Sequence, residues 1–220
     1  MCPLLPIRKP LLCYVTDRRS LAATPELAET LQLQKIEDAA KAGVDWIQIR
    51  EKDLSGRKLA ELAERAILHA GSGLAVLVND RVDVACAVGA FGVHLGEHSL
   101  PAGEARRLVS QRSARENFIV GVSAHSLEGA MQAEHAGADY VIFGPVFATP
   151  SKAGFGKPQG VERLKELSRR LRIPVLAIGG ITLENAGDCL AAGAAGIAAI
   201  RLFQDAANLN GVVGELRKGS

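Results

Sequence analysis

Gln48-Ile49-Arg50-Glu51-Lys52 closes an apolar run with an amide and two cations at alternate positions. In an extended chain alternate side chains share a side, so Gln48, Arg50 and Lys52 face one way if the strand persists. Such a trio suits an array of anionic oxygens, with Arg as a two-pronged donor and Lys as a point charge. Further along, Val78-Asn79-Asp80-Arg81 puts a carboxylate at the end of another apolar run. Two readings of Asp80 stay open. It suits Mg²⁺, which commonly takes only one or two protein carboxylates, and it suits the N-cap of a helix containing Val82–Val88. Ile178-Gly179-Gly180-Ile181-Thr182 lets backbone amides approach a phosphate closely, or simply permits a tight turn. His94 and His125 also fall at the ends of apolar runs, and His125, between Ser123 and Ser126, is the candidate for acid/base work.

These groups need a scaffold that brings strand ends together. A theme of Ala or Val, Gly, then an apolar strand recurs at Gly43, Gly89, Gly137 and Gly193, spaced 46, 48 and 56 residues apart. Each Gly follows a helix-like segment, where a residue with φ > 0 ends a helix before a buried strand. Each interval has room for two strand–helix units. Four further apolar runs, at Leu11–Thr16, Leu74–Asn79, Phe118–Ser123 and Ile173–Gly179, fall between the copies. Eight strands alternating with helices predict a (β/α)₈ barrel, the TIM-barrel class of α/β fold. The 220 residues form one domain on this reading, with 1–10 as a flexible or capping N-terminal segment. Nearly every polar or Gly-rich signature follows the C-terminal end of a strand, the face on which such barrels build their sites. The long polar connection Gly144–Gly156 is a candidate lid.

Composition narrows the classes. Hydrophobic residues make up 48% of the chain but aromatics only 4%, so the core is aliphatic, as in barrel interiors. A net charge of +2 gives no global field for nucleic acid or a membrane surface. No apolar run reaches the ~20 residues of a membrane span, and Met1–Pro10 has too short an apolar stretch for a secretory signal. The four cysteines are scattered without a C-x-x-C pair, which fits reduced thiols in a cytoplasmic protein. The expected partners are small phosphorylated molecules; a homo-oligomer is left open.

Together the segments resemble thiamine phosphate synthase and its relative, the thiazole tautomerase of thiamine biosynthesis. The resemblance runs from Tyr14-Val15-Thr16-Asp17 to Gly196-Ile197-Ala198. Its most specific parts are Gln48–Lys52, Val78–Arg81, Gly92-Val93-His94-Leu95-Gly96, Gly144–Lys152 and Ala177–Ile181. It implies that Gln48 touches a pyrimidine, that Arg50, Lys52, Asn79, Ser123 and Lys152 hold a pyrophosphate, and that Asp80 binds Mg²⁺. Thr149, Ser151 and the Gly180 amide would then lie on the side of a thiazole phosphate, beside Gly179. The chain departs from the synthase pattern twice. Ser99 stands where a second acidic metal ligand is expected, and Arg201 where a small residue usually faces the second phosphate. Tautomerases share Ser99 and use a histidine at the place of His125 as acid/base. The full pyrophosphate grip favours a synthase-like transferase, with the tautomerase and a non-catalytic phosphate-binding paralogue as alternatives.

On this reading Lys52 and Lys152 both meet charge that develops on the leaving pyrophosphate. Replacing either by Ala is expected to lower kcat by about 10²-fold, the scale for loss of one charge-stabilising donor. Unchanged turnover removes that lysine from the mechanism.

Overall fold

The computed structural model describes residues 10–112, 117–149 and 158–218. They form the expected barrel. Its strands are β1 (Leu11–Val15), β2 (Trp46–Ile49), β3 (Ala75–Asn79), β4 (Gly92–Leu95), β5 (Ile119–Ala124), β6 (Tyr140–Phe143), β7 (Val175–Ile178) and β8 (Gly196–Ala199). All neighbours pair in parallel and β8 returns to β1, so the sheet is closed and has no edge. The helices are α1 (Pro25–Ala42), α2 (Gly56–Ala70), α3 (Val82–Ala87), α4 (Ala102–Arg112), α5 (Leu127–His135), α6 (Gly160–Arg170), α7 (Leu183–Ala191), α8 (Arg201–Gln204) and α9 (Leu209–Lys218).

The recurring glycines do what their spacing implies. Gly43, Gly89, Gly137 and Gly193 all have positive φ, between 64° and 95°. Gly43 caps α1 in the left-handed region, its N–H turned back to Ala39 and Ala40 carbonyls. Two residues after Gly43 and Gly137, an aspartate caps a neighbouring strand. Asp45 Oδ2 accepts from the Leu12 N–H at 2.7 Å, and Asp139 Oδ2 from the Val120 N–H at 2.7 Å. Arg217 and Arg106 pair with these two carboxylates. All of this lies at the N-terminal ends of the strands, where it serves stability.

Alternation divides each strand between two cores. Outward residues such as Val78, Val93, Val120, Val141, Ala177 and Ile197 are buried under the helices. Inward residues such as Cys13, Trp46, Leu77, Ile119, Tyr140, Leu176 and Ala198 fill the barrel. Tyr140 is the largest inward ring beside Trp46, their centroids 4.8 Å apart. It has room only because its neighbour on β5 is glycine: a Cβ on Gly121 would lie 2.0 Å from Tyr140 Cζ. Gly121→Ala is therefore expected to destabilise the fold by about 1–3 kcal/mol through overpacking. Urea denaturation measures this, and wild-type stability would show that Tyr140 can move aside without cost.

Candidate active site

At the C-terminal mouth the inward polar residues form two hydrogen-bonded strings. The first runs across β2 and β3. Gln48 is only 2% exposed; its Nε2 donates to Asn79 Oδ1 at 2.7 Å, and Asn79 Nδ2 donates to Asp80 Oδ2 at 2.7 Å. Gln48 Oε1 is buried and has no protein partner, so this acceptor awaits a donor from solvent or ligand.

Asp80 adopts φ 61°, a left-handed conformation that aspartate tolerates better than most residues. Its N–H donates to the His94 carbonyl at 2.8 Å. Its carboxylate turns to the β4 loop, where Oδ1 accepts from the Gly96 N–H at 2.8 Å and from the Ser99 hydroxyl. The N-cap reading of Asp80 is thereby corrected. The capping position of α3 is Arg81 and no side chain caps it, because the Gly96 and Ser99 donors hold the Asp80 carboxylate on the other side. Desolvation pushes the Asp80 pKa up, but the Ser99 and Gly96 donors, the Lys52 charge and Asn79 outweigh it and hold the group ionised below its ordinary value.

The second string runs from β6 through β4 to β5. His94 is buried, with Nδ1 3.0 Å from the Tyr140 hydroxyl and Nε2 2.8 Å from Ser123 Oγ. Burial drives the His94 pKa down to about 3, with the Arg50 charge adding to the effect and Asp80 opposing it. The ring is thus neutral, one nitrogen donating and one accepting. Burial also holds Tyr140 well above its ordinary pKa, so its O–H persists and needs an acceptor. Donation to His94 Nδ1 leaves the proton on Nε2, which donates to Ser123 Oγ. The Ser123 O–H is then directed to the mouth.

His125 follows β5. Its Nδ1 contacts the Gly144 carbonyl, which can only accept, so the proton sits on Nδ1. Nε2 lies 3.9 Å from Glu97 Oε2. Arg50 is half-buried and Lys52 exposed. Both follow the C-terminal end of β2, which puts them at the mouth, and their charges are felt at His94 and Asp80 respectively. Gly179 and Gly180, at φ 97° and 65°, are packed under the chain after β6: a Cβ on Gly180 would lie 2.5 Å from the Ala148 carbonyl oxygen, and one on Gly179 would lie 2.5 Å from Pro145 Cβ. Close packing is thus a full reason for both glycines, alongside any ligand. Thr149 is half-buried at the end of the same segment, and Arg201 is exposed at the start of α8, after β8. Ser151, Lys152 and the candidate lid beyond Thr149, up to Gly156, lie outside the described residues.

Strand two stops at Ile49 rather than running to Arg50, yet the alternation continues beyond it through side-chain contacts that sequence reasoning did not foresee. The Arg50 N–H donates to Thr16 Oγ1 at 2.9 Å, Thr16 donates to Glu51 Oε1 at 2.7 Å, and Arg18 binds both Glu51 and Asp53. The acids at 51 and 53 alternating with cations at 50 and 52 were the available signal. Tyr140 was also missed as a partner of the site, and the hydrogen bond from Ser99 to Asp80 was not foreseen although Ser99 was placed beside the metal position.

A (β/α)₈ barrel that gathers Arg50 and Lys52, without ion-pair partners among the described residues, beside the Asp80 carboxylate at its C-terminal mouth is the class defined by this fold and site. A family profile described as thiamine monophosphate synthase matches residues 12–203. The chain is 43% identical over 192 residues to the thiamine-phosphate synthase of Chlorobium luteolum, covering 87% of this chain and 84% of that one. It is 48% identical over 164 residues to that of Methanoculleus marisnigri, covering 74% and 75%. The thiamine phosphate pyrophosphorylase structure from Pyrococcus furiosus superposes with a TM-score of 0.79 at 36% identity, covering 96% of each chain. The chain belongs to the thiamine monophosphate synthase family.

The depressed pKa of His94 gives a pH signature. The unfolded state takes up a proton below about pH 6.5 and the folded state only below about 3. Between those values the unfolded chain binds more protons, so stability falls as pH falls. Relative to His94→Gln, the wild type is expected to lose about 2–3 kcal/mol between pH 6.5 and 4.5, at about 1.4 kcal/mol per unit. Parallel pH–stability curves for the two proteins would show that His94 titrates normally in the fold.

Proposed function

We propose that this protein is a synthase-like transferase that couples hydroxymethylpyrimidine pyrophosphate to thiazole phosphate and releases pyrophosphate. The observation that carries this reading is the pair Arg50 and Lys52, left without an ion-pair partner among the described residues beside the Gln48–Asn79–Asp80 string. The methylene C–O bond breaks with its electron pair leaving on pyrophosphate, and the thiazole nitrogen donates a pair to the methylene carbon. Gln48 orients the pyrimidine. Its orphaned Oε1 is placed to accept from a ring substituent. Arg50, Lys52, Asn79, Ser123 and, by resemblance, Lys152 meet the departing charge, which is where preorganised donors contribute most. Thr149, Ser151, Gly179, Gly180 and Arg201 are assigned to the thiazole phosphate.

Asp80 would hold Mg²⁺. Its Oδ1 already accepts two hydrogen bonds and its Oδ2 one, so a lone pair on Oδ2 remains for a cation that completes its shell with water and phosphate oxygens. Among the described residues no group of three or more His, Cys, Asp or Glu is arranged to hold a metal, so this is a one-carboxylate site. The bound ion would add positive charge for the leaving group. No helix among the described residues is long and apolar enough to cross a membrane. Among the described residues Cys13 and Cys189 are free thiols, which supports a reducing, cytoplasmic setting.

A second reading has its own observation. His125 Nδ1 is anchored on the Gly144 carbonyl and Nε2 stands 3.9 Å from Glu97 Oε2, which suits a histidine–carboxylate pair that moves a proton in a thiazole carboxylate phosphate. Incubation with both phosphorylated substrates and Mg²⁺ is expected to yield thiamine phosphate. Ser99→Asp is expected to tighten Mg²⁺ binding, measured directly by calorimetry, because it adds a unit charge beside Asp80. If no thiamine phosphate forms, but the wild type isomerises the carboxylate and His125→Ala does not, the tautomerase reading replaces the synthase. Phosphate binding without either reaction establishes the non-catalytic paralogue.

A further inference from the structure

The segment Arg50-Glu51-Lys52-Asp53 alternates cation and anion. Such a stretch can neutralise itself where its acids find no other partner. Here it does not. Arg18, from the turn after β1, takes both acids. Its Nη1 donates to Glu51 Oε2 at 3.0 Å and to Asp53 Oδ1 at 2.8 Å, and its Nη2 to Asp53 Oδ2 at 2.7 Å. Only a planar guanidinium presents donors in this fork; an ammonium cannot grip one carboxylate with two donors while reaching a second. Glu51 is buried at 5% exposure and Arg18 at 6%. Glu51 Oε1 also accepts from Thr16 and from Gln32 Nε2, at 2.7 and 2.9 Å. The acids therefore lie on the β1–α1 side of the chain, while the charges of Arg50 and Lys52 are felt at His94 and Asp80 on the other.

We propose that Arg18 is a positioning residue for the anion site: by sequestering Glu51 and Asp53 it keeps Arg50 and Lys52 unpaired and directed to the mouth. The inference rests on the phosphorylated-ligand reading above and adds to it a residue that touches no ligand. Without Arg18 a carboxylate buried at position 51 needs another counter-charge, and Arg50 and Lys52 are the cations covalently nearest to it. A site that loses its cations to its own chain binds phosphate oxygens less well.

The probe is inorganic pyrophosphate, titrated calorimetrically into wild type, Arg18→Met and the triple variant Arg18→Met/Glu51→Gln/Asp53→Asn, with folding checked by circular dichroism. Arg18→Met is expected to weaken binding by about tenfold or more, the value of one lost charge-assisted contact. The triple variant lacks Arg18 but also lacks the acids, so affinity should return to within about threefold of wild type. A role confined to holding the loop predicts no such rescue. If Arg18→Met does not fold, the same comparison is made with Arg18→Lys, which can hold Glu51 but releases Asp53, and with Arg18→Lys/Asp53→Asn, which removes the released acid. Equal affinities for wild type and the folded Arg18 variant, or no recovery on removing the acids, overturn the inference alone. A wild type that fails to bind pyrophosphate overturns the functional reading and this inference with it.

Discussion

The closed sheet fills its interior with buried side chains, and that packing governs every polar group carried inward toward the mouth. A donor or acceptor carried inward on a strand must find a partner within the barrel or lose about 1–3 kcal/mol. Gln48 Nε2, Asn79 and Asp80 meet this demand with one another while Gln48 Oε1 stays unpaired, and Tyr140, His94 and Ser123 meet it from β4, β5 and β6. Each string begins deep and ends at the opening, so the groups that face a ligand are already oriented by those that do not. Gly121 belongs to the same logic, since it clears the space through which the Tyr140 ring reaches His94.

The two ends of the barrel use carboxylates and guanidinium groups for different ends. At the N-terminal face Asp45 with Arg217 and Asp139 with Arg106 are mutually paired and also cap strand N–H groups. Such pairs fix structure and leave little charge to act on anything else. At the C-terminal face Arg18 absorbs two acids, and two cations remain over. In a chain with a net charge of only +2, local pairing rather than total charge decides which cations stay available at this opening.

The barrel was legible because its signals are local. A glycine with positive φ at each of four helix ends, followed by an apolar run, needs no knowledge of the fold's distant contacts. Gln48, Asn79 and Asp80 were legible for a related reason, since a polar residue ending an apolar run must face the mouth. The partners were not. Ser99 lies 19 residues from Asp80, Tyr140 46 from His94, and Arg18 33 from Glu51. Nothing in a window of sequence joins such pairs. Only strand order and parity do, once the barrel has closed. Asp80 shows the limit well: residue type and position suited a helix cap, but two donors from the next loop outcompeted that role. Nothing local in the sequence marked Glu51 as buried, because its partner Arg18 comes from the turn after β1.

Ser99 ties the electrostatics of the mouth to its chemistry. Its hydroxyl donates to Asp80, so it stabilises an existing negative charge and adds none. An acid in its place would set a second carboxylate against the first and lower the net charge of the opening by one. On the proposed function, Ser99 in place of an acid would strengthen direct binding of phosphate oxygens by Arg50 and Lys52, would weaken any metal site that must form before the ligand arrives, and would so shift work from a metal to the protein's own cations. A reaction that expels pyrophosphate depends on that work being done. A proton shift at His125 needs only a base and a held phosphate. Whether the cations suffice in place of the missing acid is thus the physical question that separates the two activities, and it is why the freedom of Arg50 and Lys52 from their neighbouring acids matters more in this chain than in one with both carboxylates.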